Sequence, residues 1–148
     1  MAVRIPFITS QRELHKVVAL AVPREFGELL DDLFVGDKEI VSLAALQLCD
    51  LLTEGNVSLR SLNRDEWEKL LFPVKYSEDA IVSKLFGADL QVAILRALAF
   101  GKHEQGEVCA RFASYRACNR KVRKAARLCL AELEGYRKNS SAGLLRAA

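Results

Sequence analysis

Seven positively charged side chains lie close together in the last third of this 148-residue chain. They are Arg111, Arg116, Arg120, Lys121, Arg123, Lys124 and Arg127. Guanidinium and ammonium groups bind phosphate and carboxylate oxygens through charge-assisted hydrogen bonds. If one helix continues across Asn119, all of them except Arg111 and Lys121 follow i, i+4, i+7, i+8, i+11 spacing and share one face. The pattern predicts a surface that binds a nucleic acid or an acidic protein, or that only meets solvent or Asp and Glu of this chain.

The positive charge is concentrated at one end of the chain. Residues 1–101 hold 11 Lys and Arg against 15 Asp and Glu, a net charge of −4, whereas residues 102–148 hold 11 against 4, a net charge of +7. The overall charge of +3 hides this asymmetry. A basic end on an acidic body indicates an anionic partner, or pairing between the two halves or between subunits.

The chain offers little for catalysis or metal binding. His15 and His103 are its only histidines, and neither belongs to a nucleophile, phosphate-loop or metalloprotease motif. Structural zinc sites normally include a closely spaced pair of ligands. Cys109, Cys118 and Cys129 are nine and eleven residues apart, and His103 lies six residues before the first of them. We therefore expect no catalytic residue, no metal site and no cofactor, and the protein is predicted not to be an enzyme.

Turn and capping signals divide the chain into seven or eight short helices. The predicted helices cover residues 10–23, 24–35, 37–55, 63–73, 77–87, 89–101, 107–117 and a last one from 119 to 135 or 137. Asp37, Asp89 and Asn119 are placed to cap helices, and Asn63 with Glu66 fits a capping box. Pro73 is expected to end the fourth helix because proline lacks a backbone N–H. We find no convincing strand, so the predicted fold is all-α, a compact irregular multi-helix domain.

A weak internal repeat links three of these helices. The shared offsets place a capping residue before three apolar positions: Asp37 before Ile40, Leu43 and Leu48, and Asn119 before Val122, Ala125 and Leu130. Asp89, Val92 and Leu95 repeat the beginning of the pattern. These segments resemble HEAT and armadillo repeats, α-solenoid families whose second helices often begin with a capping Asp or Asn followed by Val, small residues and Leu. The resemblance implies HEAT-like helical hairpins; the alternative is an irregular bundle without a true repeat.

Length and composition are those of one globular domain. We expect a single helical domain over residues 1–138 and a flexible C-terminal tail over residues 139–148. No apolar run approaches the roughly 18 residues needed to span a membrane, and the start of the chain lacks the features of a secretory signal. The predicted location is therefore intracellular, in the cytoplasm or nucleus. The four cysteines fall within helical apolar patterns, which favours reduced, buried thiols.

Two functions remain open from the sequence. The first is a non-enzymatic interaction module that binds a protein partner, acidic if it uses the basic helix, through a helical surface. The alternative is sequence-independent RNA or DNA binding by the seven cations of the basic C-terminal helix, since such a face would neutralise phosphates in a salt-sensitive way. Self-association is also open, because one apolar stripe is broad for a small domain: Phe26, Leu29, Leu30, Leu33 and Phe34.

Overall fold

The fold is all-α, as predicted. A computed structural model describes the backbone of residues 25–55 and 57–147 and the side chains through Lys138, so the predicted helix over residues 10–23 lies outside the described residues. The helices are α1 (Phe26–Asp32), α2 (Lys38–Glu54), α3 (Arg64–Lys75), α4 (Ala80–Phe86), α5 (Ala88–Phe100), α6 (Glu107–Arg116) and α7 (Arg120–Ala147). Short 3₁₀ turns at Leu59–Ser61 and Glu104–Gly106 precede α3 and α6. The described part of the chain contains no β-strand.

Three helices begin where the capping signals predicted. Asp37 accepts a hydrogen bond from the second backbone N–H of α2 at 2.9 Å, and Asn119 does the same for α7 at 2.8 Å. Asn63 and Glu66 form the reciprocal capping box of α3, with hydrogen bonds of 2.9 and 3.1 Å. Each bond satisfies a backbone donor that the first helical turn leaves without a partner. These starts depend on residues close in sequence, which is why the pattern identified them.

Two predicted helix boundaries are wrong: the end of α3 at Pro73 and the start of α5 at Asp89. Pro73 lies inside α3, which continues to Lys75. Proline removes one helical hydrogen bond near the end of the helix, and the Pro73 carbonyl gains a bond of 2.8 Å from the side-chain amide of Gln91. Asp89 does not cap α5, because Gly87, with φ +86°, directly joins α4 to α5. A positive φ suits glycine and lets the chain turn within one residue, which leaves Asp89 in the first turn.

The last helix is longer than the sequence predicted. The expected end was Gly135 or the residues after Arg137, but α7 extends to Ala147. A glycine in the interior of a helix costs only about 1 kcal/mol relative to alanine. Gly135 therefore does not stop α7. The flexibility of residues 139–148, and the division between domain and tail, stay predictions.

The core is centred on α5, which contacts α2, α3, α4 and α7. Its inward side chains are almost completely buried: Leu90, Gln91, Ile94, Leu95 and Leu98 are at most 1% exposed. From α7, Val122, Ala126, Cys129 and Leu133 pack into this core, whereas Leu130, predicted to be part of the buried stripe, is only half-buried. Leu29 and Leu30 of α1, and Leu33 directly after it, are buried within the same core. These three leucines are therefore covered by the core, whereas Phe34 of the same stripe is 42% exposed, and self-association stays a prediction.

Helices α6 and α7 form an antiparallel hairpin. Only residues 117–119 connect them. Glu107 at the start of α6 pairs with Arg137 far along α7, with 2.5 Å between oxygen and Nη2. The connection is fixed to the turn between α3 and α4, because the Cys118 N–H donates to the Ser77 carbonyl at 2.8 Å. None of the helices in the described ranges is both long and apolar enough to cross a membrane.

Candidate interaction surface

The predicted single basic face does not exist as one helical face. It required a helix that continues across Asn119, but α6 ends at Arg116 and α7 begins at Arg120. Ala117 between them has extended backbone angles, φ −57° and ψ 138°. The seven predicted cations are therefore divided between two antiparallel helices, and their environments differ from one to the next.

Arg123 is used within the fold rather than offered to a partner. Its Nη1 atom donates to the Ala117 carbonyl at 2.7 Å and is 3.2 Å from the Cys118 carbonyl. These carbonyls belong to the connection between the helices, where regular helical hydrogen bonding stops. Charged donors form strong bonds to such carbonyls. Arg123 thus holds the hairpin connection in place and is half-buried, and its predicted role in binding a partner stays a prediction.

Arg111 is exposed but already has a carboxylate partner. Its Nη2 lies 3.1 Å from a Glu107 oxygen, one helical turn away, while the second Glu107 oxygen binds Arg137. The hydrogen bond from Arg137, with a smaller contribution from Arg111, holds the pKa of the Glu107 carboxyl below its usual value. Arg137 also lies 3.9 Å from Glu104. Two carboxylates therefore balance the two guanidinium groups, and this edge of the hairpin carries no net charge.

The exposed side of α6 combines aromatic and basic residues. Val108, Arg111, Phe112, Tyr115 and Arg116 follow i, i+3, i+4, i+7, i+8 spacing and all are exposed; we call them the α6 aromatic face. Tyr115 is 63% exposed and Phe112 is 45% exposed. The guanidinium carbon of Arg116 lies 5.2 Å from the centre of the Phe112 ring. This cation–π contact holds the two side chains against each other on the surface.

Small residues occupy the buried side of α6. Cys109, Ala110, Ala113 and Ser114 are at most 9% exposed. The facing helix α7 also contributes small residues, Ala125, Ala126 and Cys129. Short side chains on both sides let two helices approach closely. Helix α6 therefore turns its small side to the core and its large side chains to solvent.

A short row of cations lies on the outer side of α7. Arg120, Lys124 and Arg127 are exposed and follow i, i+4, i+7 spacing; we call them the cationic row. None of the three has an ion pair with any residue in the ranges that the structure describes. Lys121 lies apart from the row. It shares a side of α7 with Leu128 and with Glu132, which pairs with Lys102 at 2.8 Å.

The α6 aromatic face and the cationic row lie on the two helices of one hairpin. Arg116 is the last residue of α6 and Arg120 the first of α7, on either side of the short connection. Together they form what we call the α6–α7 surface. It contains aromatic side chains for apolar contact and cations for an acidic or phosphorylated partner.

Helical spacing places Val108, Phe112 and Tyr115 on one side of α6, but spacing alone does not show that this side is exposed. The signal lay in the opposite side of the same helix. Cys109, Ala110 and Ala113 are small, and a stripe of small residues is typical of a close helix contact. Average hydrophobicity favoured the larger side chains as the buried ones, which is the reverse of the structure.

The prediction of buried thiols is confirmed for Cys109 and Cys129 but not for Cys118. Cys109 and Cys129 are buried, and burial raises the pKa of Cys129 to about 11. Cys118 is exposed in the hairpin connection, so the prediction of a buried thiol is wrong there; its Sγ donates to the Glu78 carbonyl at 2.9 Å. His103, directly before the 3₁₀ turn Glu104–Gly106, is only 7% exposed. Its ring lies 5.5 Å from that of Trp67, and burial lowers its pKa.

Among the described residues, no group of three or more His, Cys, Asp or Glu side chains is arranged to hold a metal ion. No protein-family model matches this chain, and no curated protein or solved structure matches it either. The resemblance to HEAT repeats stays a prediction. Of its three copies, those beginning at Asp37 and Asn119 share a capping role, whereas the one beginning at Asp89 does not.

Proposed function

We propose that this protein is a non-enzymatic interaction module that binds an acidic protein partner through the α6–α7 surface. The observation that carries the proposal is the exposure of Phe112 and Tyr115 between Arg111 and Arg116 on one helix face. Aromatic residues and arginine are enriched in protein interfaces and among the residues that contribute most to binding. A partner that covers this face would remove two aromatic rings from water.

The charge of the surface determines the kind of partner. The cationic row has no internal carboxylate partners among the described residues, and Arg116 contacts an aromatic ring rather than a carboxylate. Surface charges of one sign attract a partner of the opposite sign and raise the rate of association. We therefore expect the bound segment to contain Asp and Glu next to apolar side chains. The aromatic rings would supply most of the affinity, and the cationic row would select the partner.

The experiment compares proteins captured by three forms of the tagged chain from a lysate of cells that naturally make it. The forms are the wild type, the double variant Phe112→Ser/Tyr115→Ser, and the control Leu46→Ser. Leu46 is 63% exposed on α2, so the control removes an equally exposed apolar side chain elsewhere. We expect a protein captured by the wild type and the control to be lost with the double variant. Identical sets from all three forms would contradict the proposal.

Nucleic-acid binding is the second candidate, because the cationic row is unpaired and Tyr115 beside it could stack on a base. The loss of Arg123 to the fold and the pairing of Arg111 weaken it relative to the sequence prediction. Three phosphate contacts with a single strand would give a slope of about −2 in a plot of log affinity against log salt concentration. Arg120→Glu/Lys124→Glu/Arg127→Glu should abolish binding to a generic single-stranded RNA. Affinity that does not depend on salt or on these changes would exclude this candidate.

A further inference from the structure

A second surface of the molecule is an apolar groove between the α1–α2 turn and α4. Its volume of about 640 Å³ lies in the range that binding pockets occupy. Leu33, Val41, Phe72, Phe86 and Leu85 are among the side chains that line it. None of the functions discussed above uses these residues. The groove is therefore independent of the α6–α7 surface.

Aromatic rings give the groove a fixed floor. The rings of Phe34 and Phe72 lie 5.2 Å apart and those of Phe72 and Phe86 lie 5.9 Å apart, both in edge-to-face arrangements. Phe86 is 4% exposed and so is anchored in the core, whereas Phe34 is 42% exposed. A floor held by ring contacts loses little conformational freedom when it is covered. The groove is thus formed in advance of binding.

The rim of the groove is open and apolar. Ile81 in the first turn of α4 is 79% exposed, and Val82 and Leu85 beside it are half-buried. A groove open along one side leaves a slender ligand partly in water. A helix can cover it by placing apolar side chains at i, i+3 or i+4, and i+7 into the groove. The openness of the rim therefore favours a helical segment.

The charge at the groove selects the kind of helix. Lys38 and Lys84 both line it, and no Asp or Glu is among the residues that do. Neither lysine has an ion pair with any residue in the described ranges. Unpaired charges of one sign beside an apolar groove favour a ligand with the opposite charge. The groove is complementary to an amphipathic segment with carboxylates at its edges.

From the aromatic floor, the open rim and the two lysines, we infer that the groove between the α1–α2 turn and α4 binds an acidic amphipathic helix of a partner protein. The apolar side of that helix covers Phe34 and Ile81, and its Asp or Glu side chains meet Lys38 and Lys84. This is a docking site separate from the α6–α7 surface. The two sites share no residues, so the proposal for one can be contradicted while the proposal for the other stands.

The test is selection from a phage-displayed library of random 16-residue peptides, followed by fluorescence anisotropy with the enriched peptides. We expect enriched sequences with apolar residues at helical spacing and an excess of Asp and Glu. Ile81→Asp should weaken their binding by about tenfold or more, as expected for a central apolar contact. Because Ile81 is largely exposed, this change should leave the helical circular dichroism intact. Lys38→Glu/Lys84→Glu should also weaken binding.

Two controls separate this site from the other basic surface. Lys124→Glu/Arg127→Glu changes the cationic row and should leave peptide affinity unchanged. Leu46→Asp adds a charge at another exposed apolar position and should also have no effect. A selection that yields no peptide, peptides that still bind Ile81→Asp, or peptides lost with Lys124→Glu/Arg127→Glu would overturn the inference.

Other occupants give different results. A wild-type dimer that becomes a monomer with Ile81→Asp in light scattering, without peptide binding, would assign the groove to a second copy of the chain. Binding of dodecanoate without peptide binding would assign it to a small amphiphilic anion. Either result would overturn the inference of an acidic helix.

Discussion

Helices α5 and α6 bury opposite kinds of side chain. Helix α5 places its large apolar residues in the core, where Ile94, Leu95 and Leu98 are at most 1% exposed. Helix α6 buries Ala110 and Ala113 and leaves Phe112 and Tyr115 in solvent. Each helix has a buried and an exposed side, but α5 buries large apolar side chains whereas α6 buries small ones. The difference indicates that α5 stabilises the fold and that the outer side of α6 serves another purpose.

The largest effect is expected in the centre of α5. Leu95 is 0% exposed, so Leu95→Ala should lower the free energy of unfolding by about 2 to 5 kcal/mol through lost burial and the cavity left behind. Urea denaturation followed by circular dichroism measures it. Leu46→Ala, at a position 63% exposed, is the matched control and should change stability by less than about 0.5 kcal/mol. Equal effects of the two changes would show that α5 is not central to the core.

A larger side chain on the small, buried side of α6 should destabilise the protein. Ala113 is 1% exposed against the rest of the protein, so Ala113→Leu should cost about 1 to 3 kcal/mol by overpacking. The same change at Ala131, on the exposed side of α7, should be close to neutral. Thermal unfolding of the two variants makes the comparison. If Ala113→Leu is stabilising, the close packing of α6 on α7 is wrong.

The ion pair across the hairpin should produce a smaller effect that depends on pH. Arg137 lowers the pKa of the Glu107 carboxyl, so the stability from this pair is present above the unfolded-state pKa of about 4.3 and is lost as pH falls through the lower folded-state pKa. Glu107→Gln should therefore be less stable than the wild type at neutral pH, with the difference shrinking in acid and in high salt. Glu78→Gln is the control. A difference that grows in acid would contradict this sign.

The smallest effect on stability is expected on the outer side of α6. Phe112→Ala removes a ring that is 45% exposed and contacts Arg116, so the free energy of unfolding should fall by less than about 1 kcal/mol. The urea midpoint checks it against that of Leu95→Ala. A loss as large as that of Leu95→Ala would mean that Phe112 belongs to the core.

The sequence predicted features that depend on neighbouring residues and missed those that depend on distant ones. The caps at Asp37, Asn63 and Asn119 were predictable because each side chain bonds to a backbone N–H two or three residues away. The role of Arg123 was not predictable. The carbonyl of Ala117 is free to accept its hydrogen bond only because the chain leaves the helix at that residue. Helical periodicity places residues on faces without saying which face another helix covers.

The positive charge of the candidate site was predictable from the sequence, but the exposure of its aromatic residues was not. The cationic row came directly from the clustering of Lys and Arg. The aromatic face did not, because the burial of the small side of α6 depends on the equally small Ala125 and Ala126 across the hairpin. Hydrophobicity alone assigns Phe112 to the core, and only the packing of the two helices places it in solvent.

The most direct test of the α6–α7 surface is hydroxyl-radical footprinting of the protein alone and in complex with the partner captured from lysate. In the free protein, Phe112, Tyr115 and the control Phe100, which is 88% exposed on α5, should all be oxidised readily. In the complex, we expect Phe112 and Tyr115 to be protected while Phe100 is oxidised as before. Unchanged oxidation of Phe112 and Tyr115 in the complex would contradict the proposal that this surface binds the partner.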